Sequence, residues 1–141
     1  MNILEKTLAR WKKTGHRMTK NRAAVLELFL TEEHPIAADE IQKKLKRKRI
    51  TSNLSTIYRE LEFLTNEEVI HEVKLQDKKR LFELSFKKHH HHLYCLKCES
   101  IEEVEMDHEL ETLEKKITQN KKFTIQSHLL EFFGLCSRCS T

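Results

Sequence analysis

Glycine and proline are nearly missing from this chain, whose 141 residues include Gly 2 and Pro 1. Two separated glycines cannot build a glycine-rich phosphate loop, and so little of either residue argues against a flexible linker or a disordered tail. Long apolar runs are absent too. Hydrophobic residues make up 38% and the mean hydropathy is -0.63, so no transmembrane helix is hidden here. The opening Met-Asn-Ile-Leu-Glu-Lys holds no apolar targeting segment, and a soluble, cytoplasmic, well-ordered protein is expected. Two signatures of hydrolytic enzymes, His-Glu-x-x-His and Gly-x-Ser-x-Gly, are also missing.

Cysteine is scarce but concentrated. All 4 cysteines lie in two Cys-x-x-Cys pairs, Cys95/Cys98 and Cys136/Cys139. Such a turn sets two thiolates on one side of a tight loop, and two facing loops supply the tetrahedral sulfur cage that zinc prefers. The alternative, disulfides, requires an oxidising compartment that the chain's opening does not suggest. The residues between the pairs must then form structure of their own.

The run His89-His90-His91-His92 abuts the first pair. In an extended segment successive side chains leave on opposite faces, so His89 and His91 depart one way and His90 and His92 the other. Four consecutive histidines can therefore serve two separate metal sites. A purification tag would sit at a terminus, and imidazole beside thiolate favours metal over a solvated polar run.

Charge is uneven along the chain. Residues 1–84 carry 18 Lys+Arg against 13 Asp+Glu, and residues 85–141 carry 8 against 9. A basic first half joined to a metal-rich second half suggests a polyanion-binding module under metal control. In the first half, Ile3, Leu4, Leu8 and Trp11 recur at helical spacing and Gly15 ends the helix near Thr14. Thr19 caps a second helix carrying Val25, Leu28 and Phe29, and His34-Pro35 breaks the chain. A third helix from about Ala38 to Lys46 buries Ile41 and Leu45 and ends in Lys46-Arg47-Lys48-Arg49. Ser52 or Asn53 caps a fourth, with Leu54, Ile57, Leu61 and Leu64 inward and Ser55, Thr56, Tyr58 and Arg59 outward. An exposed Tyr-Arg pair near a helix start suits a major-groove reader. Alternation over 69–75 and 80–86 predicts two strands about a polar turn at Gln76-Asp77-Lys78-Lys79. Helices followed by a hairpin give the order of a winged helix-turn-helix.

In the second half, residues 100–106 alternate as a strand. Residues 107–120 are helical with Leu110, Leu113 and Ile117 inward, and Phe123 to Phe133 reads as a long strand. The expected fold class is α+β, with a winged-helix domain over 1–86 and a small α/β metal-binding domain over 87–141, a sheet covered by one helix. Phe123, Ile125, Leu129, Phe132 and Phe133 are more apolar surface than one helix covers, which suggests a dimer interface.

These residues resemble the ferric uptake regulator (Fur) family of metal-dependent bacterial repressors nearly end to end. The resemblance rests on Gly15-His16-Arg17-Met18-Thr19-Lys20-Asn21-Arg22, His34-Pro35, Ser55-Thr56-Ile57-Tyr58-Arg59, Phe82-Glu83-Leu84, the four histidines with Leu-Tyr-Cys-Leu-Lys-Cys, and His128 ahead of Gly134-Leu135-Cys136-Ser137-Arg138-Cys139. It implies structural Zn(2+) on Cys95, Cys98, Cys136 and Cys139. It implies a regulatory site of His34, Glu83, His90, His92 and Glu103, filled by Fe(2+) with Mn, Co or Zn able to substitute. A third site is implied on His89, His91, Glu111 and His128. Position 91 often holds Asp in the family, and placing Glu111 needs a one-residue shift, so Glu109 or His108 are alternatives.

The resemblance further implies a homodimer, with no membrane partner, on an AT-rich inverted-repeat DNA operator. Tyr58 would read base edges, Arg59 the backbone or a base, and Arg17 the adjacent minor groove, with Ser55 and Thr56 beside them. The peroxide-sensing branch carries Asp where this chain has Glu83 and Glu103, so a ferrous-iron-responsive repressor is expected over a peroxide sensor. Readings from other classes are a His/carboxylate metallohydrolase, whose ligand sets would be left open for water, and a zinc-organised interaction module, which leaves the winged helix unexplained.

Overall fold

Helix α1 (Ile3–Thr14) ends at Gly15, whose φ of +80° is the left-handed conformation that glycine adopts without strain. The structure, a computed structural model, describes residues 3–75 and 79–140. Helix α2 (Lys20–Thr31) begins where Thr19 Oγ1 accepts the Arg22 amide at 3.1 Å, and buries Val25, Leu28 and Phe29 along with Ala24 and Leu26. After His34-Pro35, residues Ile36–Ala37 form a short strand, β1, too brief to carry a periodic signal. Helix α3 (Ala38–Arg47) buries Ile41 and Leu45. Helix α4 (Leu54–Asn66) is capped by Asn53, whose Oδ1 accepts the Thr56 amide at 2.8 Å. Ile57, Leu61 and Leu64 are buried as periodicity predicts, whereas Leu54 is 40% exposed. Periodicity assigns a residue to a face without saying how far along the helix that face is covered.

Strands β2 (Ile70–Val73) and β3 (Leu81–Leu84) pair antiparallel with Ile70 opposite Leu84 and Val73 opposite Leu81. Both are shorter than the alternation suggests, and residues 76–78 of the expected turn lie outside the described residues. With β1 on the other side of β3 the sheet order is β1-β3-β2. The core joins Trp11, Leu28, Phe29, Ile41, Leu45, Ile57, Leu61, Leu64, Ile70 and Phe82, so the helices and sheet share one apolar interior. This first unit, Met1–Phe86, is a winged helix-turn-helix.

The second unit, Lys87–Thr141, holds β4 (His91–Cys95), β5 (Ile101–Val104), α5 (Asp107–Lys121) and β6 (Glu131–Gly134), with sheet order β5-β4-β6. Strand β4 is antiparallel to β5 and parallel to β6, with His92 opposite Glu131 and Cys95 opposite Gly134. Two expectations are corrected here. The strand expected over Phe123 to Phe133 is confined to Glu131–Gly134, the only part that lies beside β4; residues 122–130 have no regular structure. The helix expected to bury Leu110, Leu113 and Ile117 against the sheet has no buried residue, and Leu113 is 52% exposed. An apolar stripe records that a face wants cover, and nothing in the stripe says which chain supplies it.

Scarce glycine leaves a mark on the turns. Arg49, Glu68 and Lys122, which follow α3, α4 and α5, take φ of 61°, 59° and 50° at positions where glycine is usual. No helix among the described residues is long and apolar enough to cross a membrane.

Candidate metal centres and nucleic-acid interface

Parallel pairing of β4 with β6 draws the two Cys-x-x-Cys turns together. Cys95 ends β4 with Cys98 in the turn beyond it, while Cys136 and Cys139 lie in the turn after β6. Their four sulfurs fall within 4.8 Å of one another, and the Sγ atoms of Cys98 and Cys136 are 3.7 Å apart. A zinc ion bound at about 2.3 Å in a tetrahedron sets neighbouring sulfurs about 3.8 Å apart, whereas a disulfide needs about 2.05 Å. The observed spacing fits the ion, and all four cysteines are free thiols. Backbone amides of Cys98 and Cys136, the latter at 3.4 Å from Cys95 Sγ, favour thiolate and lower the Cys95 pKa to about 6. Cys139 is pushed up to about 12, chiefly because its S–H donates to Cys136.

The histidines separate by alternate position as expected, although only His91 and His92 lie within β4 and His89 and His90 immediately precede it. His90 Nε2 and His92 Nε2 are 3.2 Å apart, and Glu103, opposite His92 on β5, has Oε1 at 3.7 Å from His90 Nε2. His89 and His91 form the second group with His128, their ligand atoms within 4.8 Å and Nε2 of His89 at 2.9 Å from Nε2 of His128. Nitrogens bound to one tetrahedral cation at about 2.0–2.1 Å would lie about 3.3 Å apart, so both groups have the spacing of ligand sets.

Hydrogen bonding at the far ring nitrogens strengthens that fit. Nδ1 of His90 donates to the Lys88 carbonyl at 2.8 Å, and Nδ1 of His91 to the Leu130 carbonyl at 2.8 Å. Nδ1 of His92 faces the Glu131 carboxylate at 3.0 Å, and that of His128 faces Glu114 Oε1 at 2.6 Å. A proton held on Nδ1 leaves the Nε2 lone pair for a metal. Nε2 of His91 is buried and has no hydrogen-bond partner among the described residues, an expense that a bound cation would remove.

Glu111 stands outside these groups: exposed on α5, it pairs with Lys115 at 3.0 Å, which lowers its pKa. His108 and Glu109 are exposed on the same helix. Glu114, one helical turn on, contacts His128 instead, and neither it nor Glu131 was singled out by sequence reasoning. A carboxylate that acts on a ligand's remote nitrogen leaves no spacing signature. His34 and Glu83 belong to the first unit. His34 is exposed in the loop before β1, and Glu83, 3% exposed on β3, accepts from His71 Nε2 at 3.0 Å.

Ser55, Tyr58 and Arg59 are exposed on α4, and Thr56 is half-buried with its amide held by Asn53. Tyr58 and Arg59 line a groove with Glu62, Arg80 and Phe82, and Arg80 makes two bonds to Glu72, at 3.1 and 3.2 Å. Arg17 is exposed ahead of α2, and its loop is tied down through its carbonyl, which accepts from Arg22 Nη1 at 2.8 Å. Arg22 in turn donates from Nε to the buried Glu60 at 2.8 Å and lies 3.6 Å over the Phe63 ring.

The sequence profile of the Ferric uptake regulator family matches residues 13–133. The ferric uptake regulation protein of Bacillus subtilis (strain 168) is 33% identical over 131 residues, covering 90% of this chain and 87% of its own. The Helicobacter pylori ferric uptake regulator Fur, whose structure reveals three functional metal binding sites, superposes with a TM-score of 0.87 at 28% identity, covering 99% of this chain and 95% of that one. The ferric uptake regulator from Francisella tularensis, solved with iron, gives a TM-score of 0.80 at 27% identity over 89% and 95% of the two chains. This chain belongs to the ferric uptake regulator family, whose members are metal-responsive, DNA-binding transcriptional regulators and not enzymes.

Proposed function

We propose that this protein is a ferrous-iron-responsive repressor that binds an AT-rich inverted-repeat operator as a homodimer in the cytoplasm. The observation that carries the metal-dependent part is the parting of four consecutive histidines into two groups, with Nδ1 of His90, His91, His92 and His128 engaged and Nε2 left for a cation. Cys95, Cys98, Cys136 and Cys139 hold a structural zinc, which supplies folding free energy to a unit with little apolar core of its own.

Regulatory ligation uses His34 and Glu83 from the first unit with His90, His92 and Glu103 from the second. Ligands drawn from both units tie them into one relative orientation, and the binding free energy selects the dimer whose two α4 helices match two half-sites. His89, His91 and His128 make the third site, with Glu111 as the carboxylate implied by family resemblance. Dimerisation is supported by α5, which has no buried residue, and by Phe123, Phe133 and Leu129, which are 63%, 49% and 100% exposed. On DNA, Tyr58 reads base edges, Arg59 meets the backbone or a base, Arg17 enters the minor groove, and Ser55 and Thr56 lie beside them.

Iron is favoured over peroxide sensing by Glu83 and Glu103, since the longer side chain reaches further and closes the coordination sphere to oxidants. Selection from a random duplex pool with anaerobic Fe(II)-loaded protein tests the operator, and the expected product is an AT-rich inverted repeat. Low micromolar hydrogen peroxide added to the same preparation should leave His34 and His90 unmodified by mass spectrometry. Rapid gain of an oxygen there, with loss of DNA binding, would make the protein a peroxide sensor.

A further inference from the structure

The two histidine groups are each backed by one carboxylate that belongs to neither ligand set. Glu131 on β6 accepts from both ends of His92, the backbone amide at 2.8 Å and ring Nδ1 at 3.0 Å. Their cross-strand pairing in the β4/β6 ladder places them side by side. Glu114 on α5 plays the same part for His128, with Oε1 at 2.6 Å from Nδ1. The other braces are backbone carbonyls, Lys88 for His90 and Leu130 for His91, so each group combines one charged brace with one neutral brace.

From this arrangement we infer that Glu131 and Glu114 are positioning residues. Each locks one imidazole as the Nδ1–H tautomer and raises the basicity of its Nε2, Glu131 for the His90/His92 site and Glu114 for the His89/His91/His128 site. The inference deepens the proposed metal regulation and rests on that reading for its metal-binding consequence. Free imidazole has no strong reason to keep its proton on Nδ1. A carboxylate 3.0 Å away supplies one, because a charge-assisted N–H···O⁻ bond is about twice as strong as a neutral one. The ring can then neither turn its lone pair from the cation nor offer it an N–H.

Two measurements test it, and the first needs no metal at the histidines. Long-range ¹H–¹⁵N spectra of the zinc-loaded full chain, above the imidazole titration, should show His92 and His128 protonated on Nδ1. Glu131→Ala should release His92 alone and Glu114→Ala should release His128 alone. The second measures Mn(II) affinity in two backgrounds, His128→Ala to isolate the His90/His92 site and His90→Ala to isolate the other. Glu131→Ala should weaken binding about 10- to 100-fold in the first background and leave the second unchanged, with Glu114→Ala giving the converse. Glu131→Gln and Glu114→Gln, which can still accept from Nδ1, should recover the tautomer and part of the affinity, a rescue that mere loss of packing would not show. An Nε2–H tautomer at His92 and His128 in the unaltered protein would overturn the assignment. Equal weakening in both backgrounds would do so as well. Correct tautomers in a His128→Ala protein that binds no Mn(II) would leave the braces standing and refute the regulatory-site reading instead.

Discussion

Removing the Arg22 side chain should damage both the stability of the first unit and its reading of DNA. The guanidinium makes a 2.8 Å bond to Glu60, with side-chain exposures of 16% and 11%, and a second 2.8 Å bond to the Arg17 carbonyl. It also stacks 3.6 Å from the Phe63 centroid. Arg22→Ala strands a largely buried carboxylate, a change that costs about 3 kcal/mol when a buried pair loses one member. Loss of the ring contact adds a further ~0.5–1 kcal/mol. Arg22→Lys keeps the charge but cannot form the fork, and should cost about half as much. Trp11, the only tryptophan and 2% exposed in this unit, reports unfolding by fluorescence in urea. The midpoint should fall with little change in slope. Under conditions where the variant remains folded, operator specificity should also fall, because the loop carrying Arg17 has lost its anchor. A loss below about 0.5 kcal/mol, within the range of ordinary surface substitutions, would show that the Arg22–Glu60 pair does not hold this unit together.

Cys95→Ser should unfold the second unit and abolish its tightly held zinc, at several kcal/mol, seen as loss of the corresponding amide signals; a folded, dimeric, metal-free variant would contradict this. Zinc affinity should fall as pH falls. Below about 6 the Cys95 thiol is itself protonated, so one more proton must be displaced and log K should fall more steeply by about one unit per pH unit, as measured by chelator competition from pH 5 to 8. Tyr58→Ala should cost about 1–3 kcal/mol on the operator and relax discrimination at one position, and Arg17→Ala should weaken the minor-groove contact; intact specific binding by both would remove the docking scheme.

What could be read in advance follows from how locally each feature is written. Gly15 and Thr19 mark a helix end and a helix start through their own backbone or side-chain bonds, so α1 stops and α2 begins where the sequence says, and of the two caps open for α4, Ser52 and Asn53, the structure uses Asn53. The histidine groups are legible because alternation of side chains is a local property of adjacent residues, and it holds here although β4 begins only at His91. Leu54, Leu113 and Ile117 are more exposed than their spacing suggests because burial depends on what covers a face, and no covering surface is written in that face's own spacing. Strand β6 proved short for a related reason, since alternation over Phe123 to Phe133 shows what could pair while pairing needs a neighbour. Only the fold shows Arg22 beside the buried Glu60. Glu114 and Glu131 escaped notice because they touch ligands across 14 and 39 residues of sequence.

In the proposed function, filling the His34, Glu83, His90, His92 and Glu103 site is what confers specific DNA binding. The direct measurement is an anaerobic fluorescence-anisotropy titration of the selected operator with Fe(II) for the unaltered protein and His90→Ala, both holding zinc at the cysteines. Fe(II) should tighten binding of the unaltered protein at least about tenfold, the scale of a coupling free energy of about 1–3 kcal/mol, and do nothing for His90→Ala. Equal, Fe(II)-independent affinity of both proteins for the operator would contradict it.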